Sequence, residues 1–155
     1  MNQDQMILLE HFKKEMEVGE DLLSLLAEEE HALSHQNLQK LPDITLNKNN
    51  LVQKYLHLRN LRQQQLAYLG LPKEEALCPT WISQQNNPEL HQLWENLSQV
   101  LRACQKINSL NGMMLQKLSL SNRNAIQALI GKDPTQSLYG PGSASSNMSN
   151  FNILG

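Results

Sequence analysis

Apolar residues recur at steps of three and four along three stretches of the chain, and turn-forming residues separate them. The longest stretch runs from Pro88 to Gly131. Its stripe is Leu90, Leu93, Trp94, Leu97, Val100, Leu101, Cys104, Ile107, Met114, Leu115 and Leu118, weakening to Ala125, Ile126 and Leu129. That period predicts one apolar face on a helix over about 88–130. Asn86-Asn87-Pro88-Glu89 opens it with a cap-capable asparagine, a proline at the first helical position and an acid. Gly131, followed by Asp133-Pro134, closes it. Such a helix would be about 65 Å long at ~1.5 Å per residue and must lay its stripe on partners to be stable.

The first stretch predicts a helix over about 4–38, with Leu9, Phe12, Met16, Leu23, Leu26 and Leu33 on one face and Leu22 and Leu25 widening it. The second predicts a helix over about 43–69, carrying Ile44, Leu51, Tyr55, Leu58, Leu66 and Leu69, with Gly70 and Pro72 as its stop. Residues 71–87 form a connector in which Trp81 closes the end of the bundle. The expected fold is all-α: an elongated antiparallel bundle of three long helices over residues 1–131, then a disordered C-terminal tail over 132–155. That tail is rich in Ser, Asn and Gly and nearly uncharged, yet keeps Leu138, Tyr139, Phe151, Ile153 and Leu154.

Charge sharpens this picture. The first helix carries nine acids against Lys13 and Lys14, while Ile44–Leu69 carries Lys48, Lys54, Arg59 and Arg62 and no acid. An acidic and a basic helix joined by a short loop should pack antiparallel, with exposed pairs that discourage wrong registers. From Asn96 to Lys132 there is again no acid, but Arg102, Lys106, Lys117, Arg123 and Lys132 are present. The stripe of this helix turns polar at Asn108, Asn111 and Gly112. Those residues are consistent with close approach of a neighbouring helix, or with a recognition groove beside the adaptable Met113 and Met114.

Chemistry is sparse. Glu28 and His31 make one Glu-x-x-His with no second copy, so no di-iron bundle is predicted. His31 and His35 share a face without a third ligand, and Glu28-Glu29-Glu30 is expected to be a solvated face. Cys78 and Cys104 match no zinc spacing and are expected to be reduced and structural. No nucleophile elbow or phosphate loop is present. The expectation is a protein with no catalytic residues, no cofactor and no metal. Net charge is −2 and the basic half-helix lacks interleaved aromatics, so nucleic acid is not an expected partner. No apolar run approaches the ~18 residues of a membrane helix and no secretory signal is seen, which predicts a cytoplasmic protein without stable membrane insertion.

The run Ile107-Asn108-Ser109-Leu110-Asn111-Gly112-Met113-Met114-Leu115 resembles the Asn-x-x-Asn-Gly signature of the FlgN family of flagellar export chaperones. Asn122-Arg123-Asn124-Ala125-Ile126-Gln127-Ala128-Leu129 and Ser137-Leu138-Tyr139-Gly140 resemble its following segments. The resemblance implies a substrate-specific chaperone. It would bind C-terminal helices of the flagellar hook-associated, or hook–filament junction, proteins and deliver them to the flagellar type III export apparatus. It implies that the client contact maps to the C-terminal part of the long helix, and that Tyr139 docks at the cytosolic domain of the export gate. The residues themselves suggest a groove formed by Asn108, Asn111, Gly112, Leu115, Leu118, Ala125, Ile126 and Leu129, flanked by Arg123 and Lys117, that the chain does not fill itself. The alternative is a structural coiled-coil protein that forms a homodimer through the long helix and has no client.

Overall fold

The computed structural model describes residues 2–71, 73 and 78–121. The predicted helix beyond Ser121 and the tail over 132–155 lie outside the described residues. Among the described residues the fold is all-helical. Helix α1 spans Gln3–Ser34, α2 Leu41–Tyr68, α3 Cys78–Ser83 and α4 Pro88–Ser121, and a short 3-10 turn, Leu38–Lys40, leads into α2. Three of these helices are long, as the three apolar stripes require.

The helix ends follow from local chemistry. Asn2 Oδ1 accepts the Gln5 amide at 2.8 Å and caps α1. At its far end α1 stops four residues earlier than its apolar pattern predicts. Gln36 takes φ 52°, the Gln36 amide bonds Leu33 O and the Asn37 amide bonds Ala32 O. This is the C-terminal lock that glycine ordinarily supplies, here closed by a glutamine. Gly70, at φ 71°, closes α2 in the same way through Leu71 N to Leu66 O at 2.8 Å. Asn87 caps α4 by accepting the Leu90 amide at 3.1 Å, with Pro88 as the first helical residue.

Helix α1 is the central rod, packing along its length on both α2 and α4, while backbone approach between α2 and α4 is sparse. The chain runs up, down and up: α2 is antiparallel to α1, and α4 is parallel to it. The α1–α4 alignment is visible from end to end. Gln5 bonds Asn87 and Gln85, Phe12 packs on Trp94 at 5.2 Å between centroids, and Asn111 bonds the Leu26 carbonyl. The pair comes close at Gly19, where a Cβ would lie 3.2 Å from Val100 Cγ1.

The inward positions of α1 are Gln5, Leu8, Phe12, Glu15, Gly19, Leu22, Leu26, Glu29 and Leu33, all buried. Steps of three and four alternate without a break, which is the heptad spacing of a packed helical seam. Two of those positions are glutamates, and the charges that matter between α1 and α2 are therefore buried rather than exposed. Glu15 receives Arg62 in a two-point contact, Nε to Oε2 at 2.7 Å and NH2 to Oε1 at 3.2 Å, with both side chains wholly buried. The guanidinium also lies 5.3 Å from the Phe12 ring centroid. Glu29 receives Lys48 Nζ at 3.0 and 3.2 Å. So Glu29, expected on a solvated face with Glu28 and Glu30, points inward, while its two neighbours are exposed.

The apolar core is in two parts. A lower cluster gathers Leu8, Phe12, Leu22, Leu26, Tyr55, Leu66, Trp94, Leu97 and Leu101, with Trp81 packed half-buried against it. A smaller upper cluster contains Ala32, Leu33, Leu41, Ile44 and Leu115. Cys78 and Cys104 are free and buried in the lower cluster. Removing one member of a buried ion pair strands the other, whereas replacing both with apolar residues does not. Glu15→Ala should therefore cost about 3–5 kcal/mol in urea denaturation. Glu15→Met with Arg62→Leu should recover most of that loss, and equal stability of the single and double variants would contradict this account.

Candidate functional site

The residues singled out on α4 divide between two faces of the helix. Asn111 is wholly buried. Its Nδ2 donates to the Leu26 carbonyl at 3.0 Å and to Glu29 Oε1 at 2.8 Å. Asn108 Oδ1 accepts from Lys48 Nζ at 3.2 Å. Glu29, Lys48, Asn108 and Asn111 thus form one polar layer across all three long helices, between the lower and upper apolar clusters. The polar interruption of the α4 stripe is an answer to the buried Glu29–Lys48 pair, since polar groups removed from water must find partners in the protein.

Leu115 and Leu118 were expected to lack an intramolecular partner. Leu115 instead is 2% exposed and packs in the upper cluster, and Leu118 lies half-buried against the same cluster. Burial, rather than availability, is why the stripe continues there. Gly112 is half-buried. The close helix approach anticipated at a glycine occurs at Gly19 on α1. Arg123, Ala125, Ile126, Leu129 and Tyr139 lie outside the described residues.

On the opposite face of α4 the same half of the helix carries a second stripe. Lys106, Leu110, Met113, Lys117 and Leu120 follow one another at steps of four, three, four and three, so they share one outward face. Leu110 is 46% exposed, Met113 56% and Leu120 88%. Both lysines are exposed. The inner stripe was expected to be flanked by Lys117, which instead stands on this outward face, and the outward stripe as a whole is not part of the expected groove. Its signal was the recurrence of the large apolar residues Leu110, Met113 and Leu120 out of phase with Cys104, Leu115 and Leu118.

Other candidate chemistry does not assemble. His31 and His35 are exposed and stacked on each other at 4.0 Å between centroids, with His35 Nδ1 held by the His31 carbonyl at 2.9 Å. Among the described residues no group of three or more His, Cys, Asp or Glu gathers as a metal site would require. Burial pushes the Cys104 thiol up to about 12, which leaves it protonated and unreactive. Among the described residues no helix is long and apolar enough to cross a membrane.

Comparison with known proteins decides the family. The sequence profile of the FlgN protein family matches residues 1–147. The chain belongs to the FlgN family. FlgN proteins are flagellar export chaperones, a class without enzymatic activity. The chain is also 29% identical over 121 residues to uncharacterized protein YvyG of Bacillus subtilis strain 168, covering 74% of this chain and 76% of that protein. No solved structure matches. In this FlgN chain the asparagines of the Asn-x-x-Asn-Gly run face the interior, whereas Leu110 between them faces out.

Two expected outcomes follow from the polar layer. Asn111→Leu removes the donor to the Leu26 carbonyl and to Glu29, and should cost about 1–3 kcal/mol in urea denaturation. Burial also pulls the Lys48 amine down from its ordinary 10.5 to about 8, against the opposing pull of Glu29. Below about 8 the amine is protonated folded and unfolded, and its contribution is constant. Between about 8 and 10.5 the unfolded chain holds a proton that the folded chain has released, so this group makes stability rise with pH. The stability difference between the wild type and Lys48→Met should grow in favour of the wild type across that window. A flat difference would refute the depressed amine.

Proposed function

We propose that this FlgN-family protein is a cytoplasmic, substrate-specific export chaperone. It binds the C-terminal helices of flagellar hook-associated junction proteins and delivers them to the flagellar type III export apparatus. The observation that carries this reading is the family match, which runs through α4 and on to residue 147. The exposed apolar and cationic residues in the last turns of the described α4 support it, because a segment that captures a helix must hold apolar surface open to solvent. Client contact falls on the C-terminal half of α4 and the residues that follow it, with Arg123, Ala125, Ile126 and Leu129 as continuing contacts. Tyr139 is the docking residue for the cytosolic domain of the export gate, separate from the client surface.

Capture is passive chemistry. The chaperone covers the apolar face that its client would otherwise use for self-association. It needs no cofactor and performs no covalent step. The bundle below the polar layer serves as a rigid handle, while the far half of α4 carries the guest.

The full-length chain, immobilised and offered C-terminal fragments of the junction proteins, should retain at least one of them and release an unrelated helical fragment. Retention of none would overturn the reading. Tyr139→Ala should retain the same fragment undiminished while lowering the amount of junction protein secreted into the culture medium. Loss of both together, or of neither, would remove Tyr139 from the docking role.

A further inference from the structure

The outward stripe of α4 has a definite chemical character. Leu110, Met113 and Leu120 supply the apolar contacts, and Lys106 and Lys117 stand among them on the same face. Arg102, also exposed, lies one turn before Lys106. No acid occurs from Asn96 to Lys132. The stripe from Lys106 to Leu120 extends about 21 Å at ~1.5 Å per residue. This is the footprint of a partner helix of about two heptads, read by apolar knobs and flanked by positive charge. The face lies opposite Asn111 and Leu115, which are buried by the chain's own bundle, so it is open without any rearrangement of α1 or α2.

We propose that this outer face, rather than the inner stripe of Leu115 and Leu118, receives an amphipathic helix of another protein whose apolar seam is flanked by acidic residues. The proposal rests on the chaperone reading and assigns its client surface. Two other occupants fit the charge poorly. A second copy of the chain packed antiparallel with Leu110 against Met113 would set Lys106 against Lys117 at both ends. A parallel copy would set each lysine against itself. Like charges so placed in a helical seam oppose pairing. The chain's own residues 122–155 offer one acid, Asp133, against Arg123 and Lys132, and so cannot balance the face. An acid-flanked helix meets the lysines with opposite charge, and Met113 adapts to the detail of the apolar seam.

The test uses the full-length chain and two designed helical peptides of about three heptads, with leucine at the seam positions and either glutamate or lysine flanking it. Like flanking charges keep each peptide from pairing with itself. By fluorescence anisotropy the glutamate-flanked peptide should bind about tenfold or more tighter than the lysine-flanked one. That advantage should shrink as salt rises from about 0.05 M to about 0.5 M, where exposed charges are screened. Leu110→Glu with Met113→Glu should lose binding at least about tenfold, and Lys106→Glu with Lys117→Glu should reverse the preference. These side chains are exposed, and circular dichroism should show both double variants helical as the wild type.

Equal binding of the two peptides, binding by neither, or undiminished binding by L110E/M113E would overturn the proposal. So would a wild-type dimer in light scattering that L110E/M113E abolishes, which would assign the face to a second copy. The two readings fail separately. If wild type and L110E/M113E both retain a junction-protein fragment, the outer face is wrong and the chaperone reading stands. If wild type retains no fragment while the peptide results hold, the face stands and the assigned client is wrong.

Discussion

A charge taken out of water must meet its opposite, and the rest of this bundle is arranged around that constraint. Glu15 with Arg62, and Glu29 with Lys48, are buried between α1 and α2. Fourteen residues separate the two glutamates along α1, and fourteen separate Lys48 from Arg62 along α2. Antiparallel helices therefore satisfy both pairs at one register. A slide by one heptad would leave apolar positions facing apolar positions, so greasy packing alone would tolerate it. It would leave four buried charges without partners, at several kcal/mol each. The ion pairs add less to stability than to the choice of alignment, which an apolar seam repeated every seven residues cannot make alone.

The second pair has shaped α4 as well. A lysine and a glutamate in the interior have more hydrogen-bonding capacity than they can use on each other. Asn108 and Asn111 supply what remains, and Asn111 also takes the Leu26 carbonyl. The Asn-x-x-Asn run of α4 thus closes a polar layer across three helices. The layer divides a large lower cluster from a small upper one. It also divides α4: in the first half the large apolar residues face the core, and in the second half they stand on the outward face as well, at Leu110, Met113 and Leu120.

The three long helices were legible because their stripes and several of their terminators are local signals. Gly70 after α2 and Asn87-Pro88 before α4 act through their own backbone and side-chain geometry, with no help from distant residues. The end of α1 was not legible, since Gln36 adopts the conformation that a glycine would have advertised. The buried charges were missed for a different reason. Glu29 stands among exposed acids, and only its place in the order Leu22, Leu26, Glu29, Leu33 marks it as inward. Even that mark becomes decisive only when α2 presents Lys48 opposite. At the candidate site the sequence pointed to the second half of α4 and to the face that the bundle covers. Which face of an all-round apolar segment is free depends on where α1 lies, and no stretch of α4 encodes that by itself.

The two thiols lie in the lower cluster, and Cys104 is further held by the Gly19 carbonyl at 3.6 Å. Among the described residues the upper cluster has none. Alkylating reagents would consequently clock the breathing of one end of this rod while staying blind to the other. Set beside amide exchange at both ends, native labelling kinetics would separate fraying of the upper end from the motion that dismantles the lower core.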